Sequence, residues 1–271
     1  MLSYVCNGGR LGENISYIYG LFKFCKNNNV PFDNIVINYN YKSKSLLKNK
    51  RDEYVFYDCM EMFDNIRYCF KDINLDNFKI IDLGAKVDIT LLYSFYKYNN
   101  YRIMDNIKFK DYWSLDSFYI NQDLLFDIDL LNYICRPKKL VRRLKNKYSN
   151  ILTDDCIGIH VRREDYIALE NKDILIDSVQ NNMSSFYKHK KLYTISDINN
   201  MIYDYKNCNI LIFSDDCEWC KNNFGSYDNV YIIEGNKAYE DMILLSLCSK
   251  VIRNPGSFFS QISYILNRRN V

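Results

Sequence analysis

From Ile157 to Tyr166 the chain reads Ile-Gly-Ile-His-Val-Arg-Arg-Glu-Asp-Tyr. Ile157, Ile159 and Val161 alternate as a buried strand does, and His160, Arg162, Arg163 and Asp165 arrive together where that strand should end. A guanidinium is a planar fork of donors that matches phosphate geometry and keeps its charge near neutral pH. Two of them at a strand exit suit a diphosphate better than a single carboxylate. An Arg pair alone is ordinarily a solvated surface feature. The buried run before this pair and the residues downstream favour a site.

Two further strand ends carry polar groups of the same kind. Ile212-Phe213-Ser214-Asp215-Asp216-Cys217 ends a strand and opens a helix. One of its carboxylates can cap that helix. The other is then placed to accept from adjacent N–H donors, as on a guanine edge. Val251-Ile252-Arg253-Asn254-Pro255-Gly256-Ser257-Phe258 passes through a Pro-Gly turn into a helix opened by Ser257. Free backbone N–H groups and a hydroxyl there can receive a phosphate, or simply cap the helix. Gly8-Gly9-Arg10-Leu11-Gly12 makes a fourth strand-to-helix junction, without the spacing of a dinucleotide fingerprint or a P-loop.

Other chemistries lack anchors. Cys217-x-x-Cys220 has no second pair at zinc-finger spacing, and His160 and His189 do not flank it, so no metal site is expected. No Ser-His-Asp order or His-Glu-x-x-His string is present. The formal net charge of +3 projects no strong field toward nucleic acid. Ten irregularly spaced Cys in 271 residues read as buried free thiols in a reducing compartment. The amino terminus lacks a basic flank and a long apolar stretch, and no window reaches the roughly 18 apolar residues of a membrane span. A soluble, cytoplasmic protein is expected.

The elements that must position these groups follow from periodicity. Leu2–Val5 reads as a strand, and Ile15, Ile18, Leu21, Phe22 and Cys25 recur at helical spacing until Pro31. Asn34–Asn38 and Phe78–Leu83 read as strands, and the region around Tyr54 to Phe70 as helix. The stretch from Tyr101 to Phe118 is aromatic and poorly periodic. A helical pattern from Leu124 to Tyr148 breaks at Pro137, and its basic second half reads as the solvated face of a linking helix. Beyond it, strands are expected at 156–161, 209–213, 229–233 and 250–253, and helices near 195–205, 215–223, 239–248 and 257–267. Such alternation implies an α/β fold with a parallel sheet covered on both faces. A domain boundary is placed near residue 149, giving domains 1–148 and 149–271.

With these strings in place, the chain resembles glycosyltransferase family eleven, the alpha-1,2-fucosyltransferases. The resemblance is carried by Gly9-Arg10-Leu11-Gly12, by His160-Val161-Arg162-Arg163-Glu164-Asp165-Tyr166, by Phe213-Ser214-Asp215-Asp216-x-x-Trp219-Cys220, by Glu240-Asp241-x-x-Leu244-x-Ser246-x-Cys248, and by Asn254 and Ser257-Phe258. It implies a GT-B arrangement, two Rossmann-like domains facing across a cleft, with the acceptor on the first and the GDP-sugar on the second. It implies transfer of fucose from GDP-fucose to a glycan hydroxyl of galactose, with inversion and no required metal or other cofactor. Arg162 would hold the beta-phosphate, braced by Arg163 and Asp165. His160 and one of Asp215 or Asp216 would face the guanine, and Ser257 and Phe258 the diphosphate end of the donor. Gly9, Arg10 and Gly12 would let the first domain approach the sugar. Glu170 or Glu13 would act as the general base. Where the family has Asn-Gln after the first-domain glycines, Glu13-Asn14 stand here, which leaves open another GDP-sugar donor or a silent GDP-sugar-binding module.

Overall fold

A computed structural model describes residues 2–5, 11–27, 29–38, 56–71, 107–108, 127–163, 167, 192–255 and 257–267. The chain divides into two units, Met1–Pro137 and Lys138–Val271.

In the first unit, β1 (Leu2–Val5) pairs in parallel with β2 (Ile35–Asn38) on one side and β3 (Ile107–Lys108) on the other. Helix α1 (Leu11–Asn27) buries Leu11, Ile15, Ile18, Tyr19, Phe22 and Cys25, the stripe its sequence spacing requires. A 3-10 segment, Phe56–Cys69, buries Met62, Phe63 and Ile66. Helix α2 (Ile128–Cys135) is capped by Asp127, whose carboxylate accepts the Leu130 N–H at 3.0 Å and pairs with Lys26. The helix then stops before Pro137, which has no N–H to continue it. Strand β3 lies in the stretch that shows no periodicity, and the strand expected at 78–83 lies outside the described residues.

The second unit matches the expected alternation closely. Its sheet has the order β6-β5-β4-β7, all parallel, from β4 (Ile157–Val161), β5 (Ile210–Ser214), β6 (Val230–Ile233) and β7 (Lys250–Ile252). The covering helices include α4 (Ile195–Asp204), α5 (Cys217–Phe224), α6 (Ala238–Leu247) and α7 (Phe258–Asn267). Successive residues of a strand point to opposite faces. Ile157, Ile159 and Val161 accordingly join a core with Ile198 and Ile202 of α4 and Cys220 and Phe224 of α5. Gly158 and His160 face the other way, toward α6 and α7. A Cβ on Gly158 would lie 2.6 Å from Leu245 Cδ1 and 2.8 Å from Cys248 Sγ, so the bare glycine is what lets α6 seat against β4.

Helix α3 (Lys138–Lys147) belongs to this second unit. Leu140 and Leu144 are buried and the helix packs on α6. Arg143 pairs with Glu240 at 2.6 Å and Lys147 donates to Asn236 Oδ1 at 2.6 Å. The boundary expected near residue 149 lies at the far end of this helix. The observed division falls at Pro137, because the apolar face of α3 is satisfied by α6.

Candidate active site at the carboxyl edge of the second sheet

Parallel strands deliver their carboxyl ends to one edge, and ligands of open α/β sheets bind there. Here that edge collects Arg162 and Arg163 after β4, Asp215 and Asp216 after β5, and Asn254 and Ser257 after β7.

These groups are bonded to one another in a compact web. The Arg162 N–H donates to Asn254 Oδ1 at 2.8 Å, tying the exit of β4 to that of β7. The Arg163 N–H donates to Asp215 Oδ1 at 2.8 Å, tying it to β5. The other oxygen of that carboxylate is 2.7 Å from Arg162 Nη1, and both side chains are largely buried. Arg163 Nε donates to Asp216 Oδ2 at 3.1 Å, and its guanidinium carbon lies over the Trp219 ring, 3.6 Å from the centroid. Ser214 Oγ donates to the Val161 carbonyl at 2.7 Å and accepts the Asp216 N–H at 3.0 Å. Two cations are thereby fixed in a partly desolvated place, where their field is stronger than in water.

The two aspartates divide their work differently from the sequence expectation. Asp216 caps α5 by accepting the Trp219 N–H at 3.1 Å, as one of the pair should. Asp215, the other of the two carboxylates expected to share the cap and a guanine edge, has both oxygens facing the arginine loop. The cause is the register: Val161 lies opposite Ser214, so the residue after each strand end meets its neighbour across the gap.

His160 is buried and stacks on Phe259 of α7, ring centroids 4.9 Å apart. Burial pushes its imidazole down to about 3, so it is neutral at ordinary pH. Its Nδ1 is buried without a hydrogen-bond partner among the described residues. A neutral, unpartnered ring nitrogen can donate to or accept from a polar ligand atom. Ser257 sits just before α7; its N–H donates to the Asn254 carbonyl at 3.1 Å and its carbonyl accepts the Gln261 N–H at 3.0 Å. Phe258 begins α7 and is half-buried. In the first turn of α6, burial pushes the Asp241 carboxyl up to about 6, although it accepts from Asn236 Nδ2 at 2.8 Å.

The structure thus brings His160, Arg162, Arg163, Asp215, Asp216 and Ser257 to one edge. Gly12 is buried in the first turn of α1, and Glu13 follows it in the same helix. Gly9, Arg10, Asp165 and Glu170 lie outside the described residues. Sequence reasoning missed the roles of Asn254 and Trp219. Asn254 is buried at 1% exposure although its neighbours Pro255 and Ser257 mark a turn. Trp219, quoted above only as part of a longer string, carries the Arg163 guanidinium. The nine described cysteines are free, and most are buried; burial pushes the Cys220 thiol up to about 11. No metal-binding cluster of His, Cys, Asp or Glu is found among the described residues.

Residues 93–270 match the model for Glycosyl transferase family 11. An alpha-1,2-colitosyltransferase of Escherichia coli is 25% identical over 148 residues, covering 52% of this chain and 45% of the relative. The match therefore spans a little under half the length of that relative. Among solved structures, POFUT1 in complex with GDP-fucose superposes with a TM-score of 0.52 at 11% identity, covering 98% of this chain and 93% of that one. The fucosyltransferase NodZ from Bradyrhizobium gives a TM-score of 0.53 at 12% identity, covering 96% and 91%. At such identities the likeness is one of fold.

Proposed function

The chain belongs to glycosyl transferase family 11, and on that premise we propose that it transfers fucose from GDP-fucose to a hydroxyl of a galactose-containing glycan, forming an alpha-1,2 linkage with inversion and without a metal. The observation that carries this reading is the pair of guanidiniums held at the carboxyl edge of the second sheet by Asp215 and Asp216, on a main chain that Asn254 ties down at the Arg162 N–H.

In the proposed reaction, the acceptor oxygen attacks the anomeric carbon from the face opposite the diphosphate. The bond from that carbon to the beta-phosphate oxygen breaks, its electron pair leaves with GDP, and the hydroxyl proton passes to a carboxylate. Negative charge grows on the departing diphosphate, and a fixed cation there lowers the barrier without having to reorganise. Arg162 supplies that cation. A guanidinium carries five N–H donors, so its ion pair with Asp215 does not exhaust it. Arg163 and Asp165 brace the loop, and Asp215 and Asp216 orient the two arginines. His160, neutral and with an unpartnered Nδ1, faces the guanine. Ser257 and Phe258 receive the diphosphate end at the start of α7, where helix N–H groups favour an anion. Gly9, Arg10 and Gly12 bring the first unit to the sugar across a GT-B cleft. Glu170 or Glu13 takes the acceptor proton.

A second reading keeps the scaffold and changes the donor. It is favoured by Glu13, a carboxylate where the family carries an amide, and by the colitosyl donor named for the Escherichia coli relative. The test is incubation of the chain with GDP-fucose and an array of galactose-terminated glycans, with a chelator present, read by mass. Addition of one deoxyhexose to galactose is the expected result. Faster turnover of GDP-mannose or a colitosyl donor would favour the second reading. GDP binding with no turnover of any donor would leave a silent binding module and end the proposal.

A further inference from the structure

Helix α3 carries six basic residues in ten positions, and no acidic or aromatic one. Its buried stripe is Leu140 and Leu144, packed on α6. Arg143 and Lys147 flank that stripe and are held by Glu240 and Asn236. The other four cations behave differently. At 100° per residue, Lys138, Lys139, Arg142 and Lys145 fall within an arc of about 120° centred opposite the two leucines. All four are exposed, and none makes an ion pair or hydrogen bond among the described residues.

This arrangement works against the isolated helix. Lys138 with Arg142 is a like-charge pair at i,i+4, and Lys139 with Arg142 and Arg142 with Lys145 are like-charge pairs at i,i+3. Such pairs destabilise a helix about as much as opposite charges at the same spacing stabilise it. No acidic residue of the helix offsets them, while the whole chain is nearly balanced at +3. A partner that neutralises the face collectively would relieve the repulsion. Clusters of four or more Lys and Arg on one face of an amphipathic helix are the pattern that anionic lipid headgroups attract. A nucleic acid fits less well, since no residue of the helix offers a ring for base stacking.

Placement gives the face a use. Glu240 and Asn236, which hold its flank, lie in and just before the first turn of α6. That is the carboxyl edge of the sheet, where Arg162 and Asp215 also lie. We propose that the Lys138, Lys139, Arg142 and Lys145 face docks the protein on an anionic phospholipid surface and holds this edge beside the headgroups. Four charges without a buried apolar anchor give reversible, salt-sensitive docking rather than permanent attachment. The proposal does not depend on which sugar is transferred.

The test is co-sedimentation of the full chain with vesicles of phosphatidylcholine containing one-third phosphatidylglycerol, against phosphatidylcholine alone. Binding to the anionic vesicles only, lost at high ionic strength, is expected. The variant K138Q/K139Q/R142Q/K145Q should bind at least about tenfold more weakly, with a melting temperature no lower than the parent's, because these side chains make no ion pair or hydrogen bond among the described residues and their mutual repulsion is removed. K138R/K139R/K145R should bind as the parent does. Indifference of the parent to anionic vesicles, or equal binding by the Gln variant, would overturn the proposal. So would failure of the Arg variant, or charge-dependent capture of a mixed-sequence RNA without vesicle binding.

Discussion

One carboxylate oxygen of Asp215 lies 2.7 Å from the Arg162 guanidinium, while its other oxygen accepts the backbone N–H of Arg163 at 2.8 Å. A single side chain therefore fixes both the charged end of one arginine and the main chain of the next. Asp215→Asn keeps an acceptor for the Arg163 N–H and removes the countercharge from Arg162. A mostly buried charge stripped of its partner should cost about 1–3 kcal/mol of stability, read from the denaturant midpoint. Transfer activity should fall by about tenfold or more, as a misplaced catalytic cation does.

Arg162→Ala removes the proposed leaving-group cation itself. Loss of one such donor typically costs about 10²–10³ in rate, and near-abolition of turnover is expected while the far-ultraviolet circular dichroism is preserved. Because Asp215 acts through Arg162, the two changes should not add. The Asp215→Asn/Arg162→Ala double variant should turn over no more slowly than Arg162→Ala alone. Additive losses would separate the two residues and assign Asp215 its own contact with substrate. Full turnover by Arg162→Ala would remove the site assignment.

Much of this was legible because of what parallel strands demand. Strands buried on both faces are nearly continuously apolar, so Ile210–Phe213 declares itself, as does Ile157–Val161 with His160 as its one polar side chain, and the polar residues after them must lie at one edge. Pro137 marked a helix break because it lacks an N–H. The destinations of individual side chains were less legible. Adjacent aspartates at a strand end look alike in sequence; only the pairing of Val161 with Ser214 turns Asp215 toward the arginine loop and Asp216 toward α5. Asn254 reads as a turn residue because Pro255 follows it, yet its amide is buried as the acceptor for Arg162. Strand β3 has two residues, too few for alternation to register.

Gly158 tests the packing that seats α6. Its missing Cβ leaves room for Leu245 Cδ1 and Cys248 Sγ, which would otherwise be 2.6 Å and 2.8 Å away. Gly158→Ala must displace both, and overpacking of this kind costs about 1–3 kcal/mol. A lowered melting temperature is expected. Leu245→Ala in the same chain should recover part of the loss contributed by the clash, although it opens a cavity of its own. A thermal midpoint for Gly158→Ala equal to that of the parent would mean that α6 stands farther from β4.

His160 should leave a signature in the pH dependence of stability. Burial holds its folded pKa near 3, against an ordinary value of 6.5. Between those values the unfolded chain binds a proton that the folded chain does not. Stability therefore rises with pH across this window and falls as pH drops from 6.5 toward 3. Asp241 contributes the opposite slope from its ordinary 3.8 up to about 6, because its folded carboxyl is the one that keeps a proton longer. The two are separated by difference. His160→Gln cannot protonate, so the gap in melting temperature between parent and variant should shift against the parent steadily as pH is lowered through the window. Above pH 7 the gap should be constant. A gap independent of pH from 7 down to 4 would mean that His160 is reached by solvent and titrates as an ordinary imidazole.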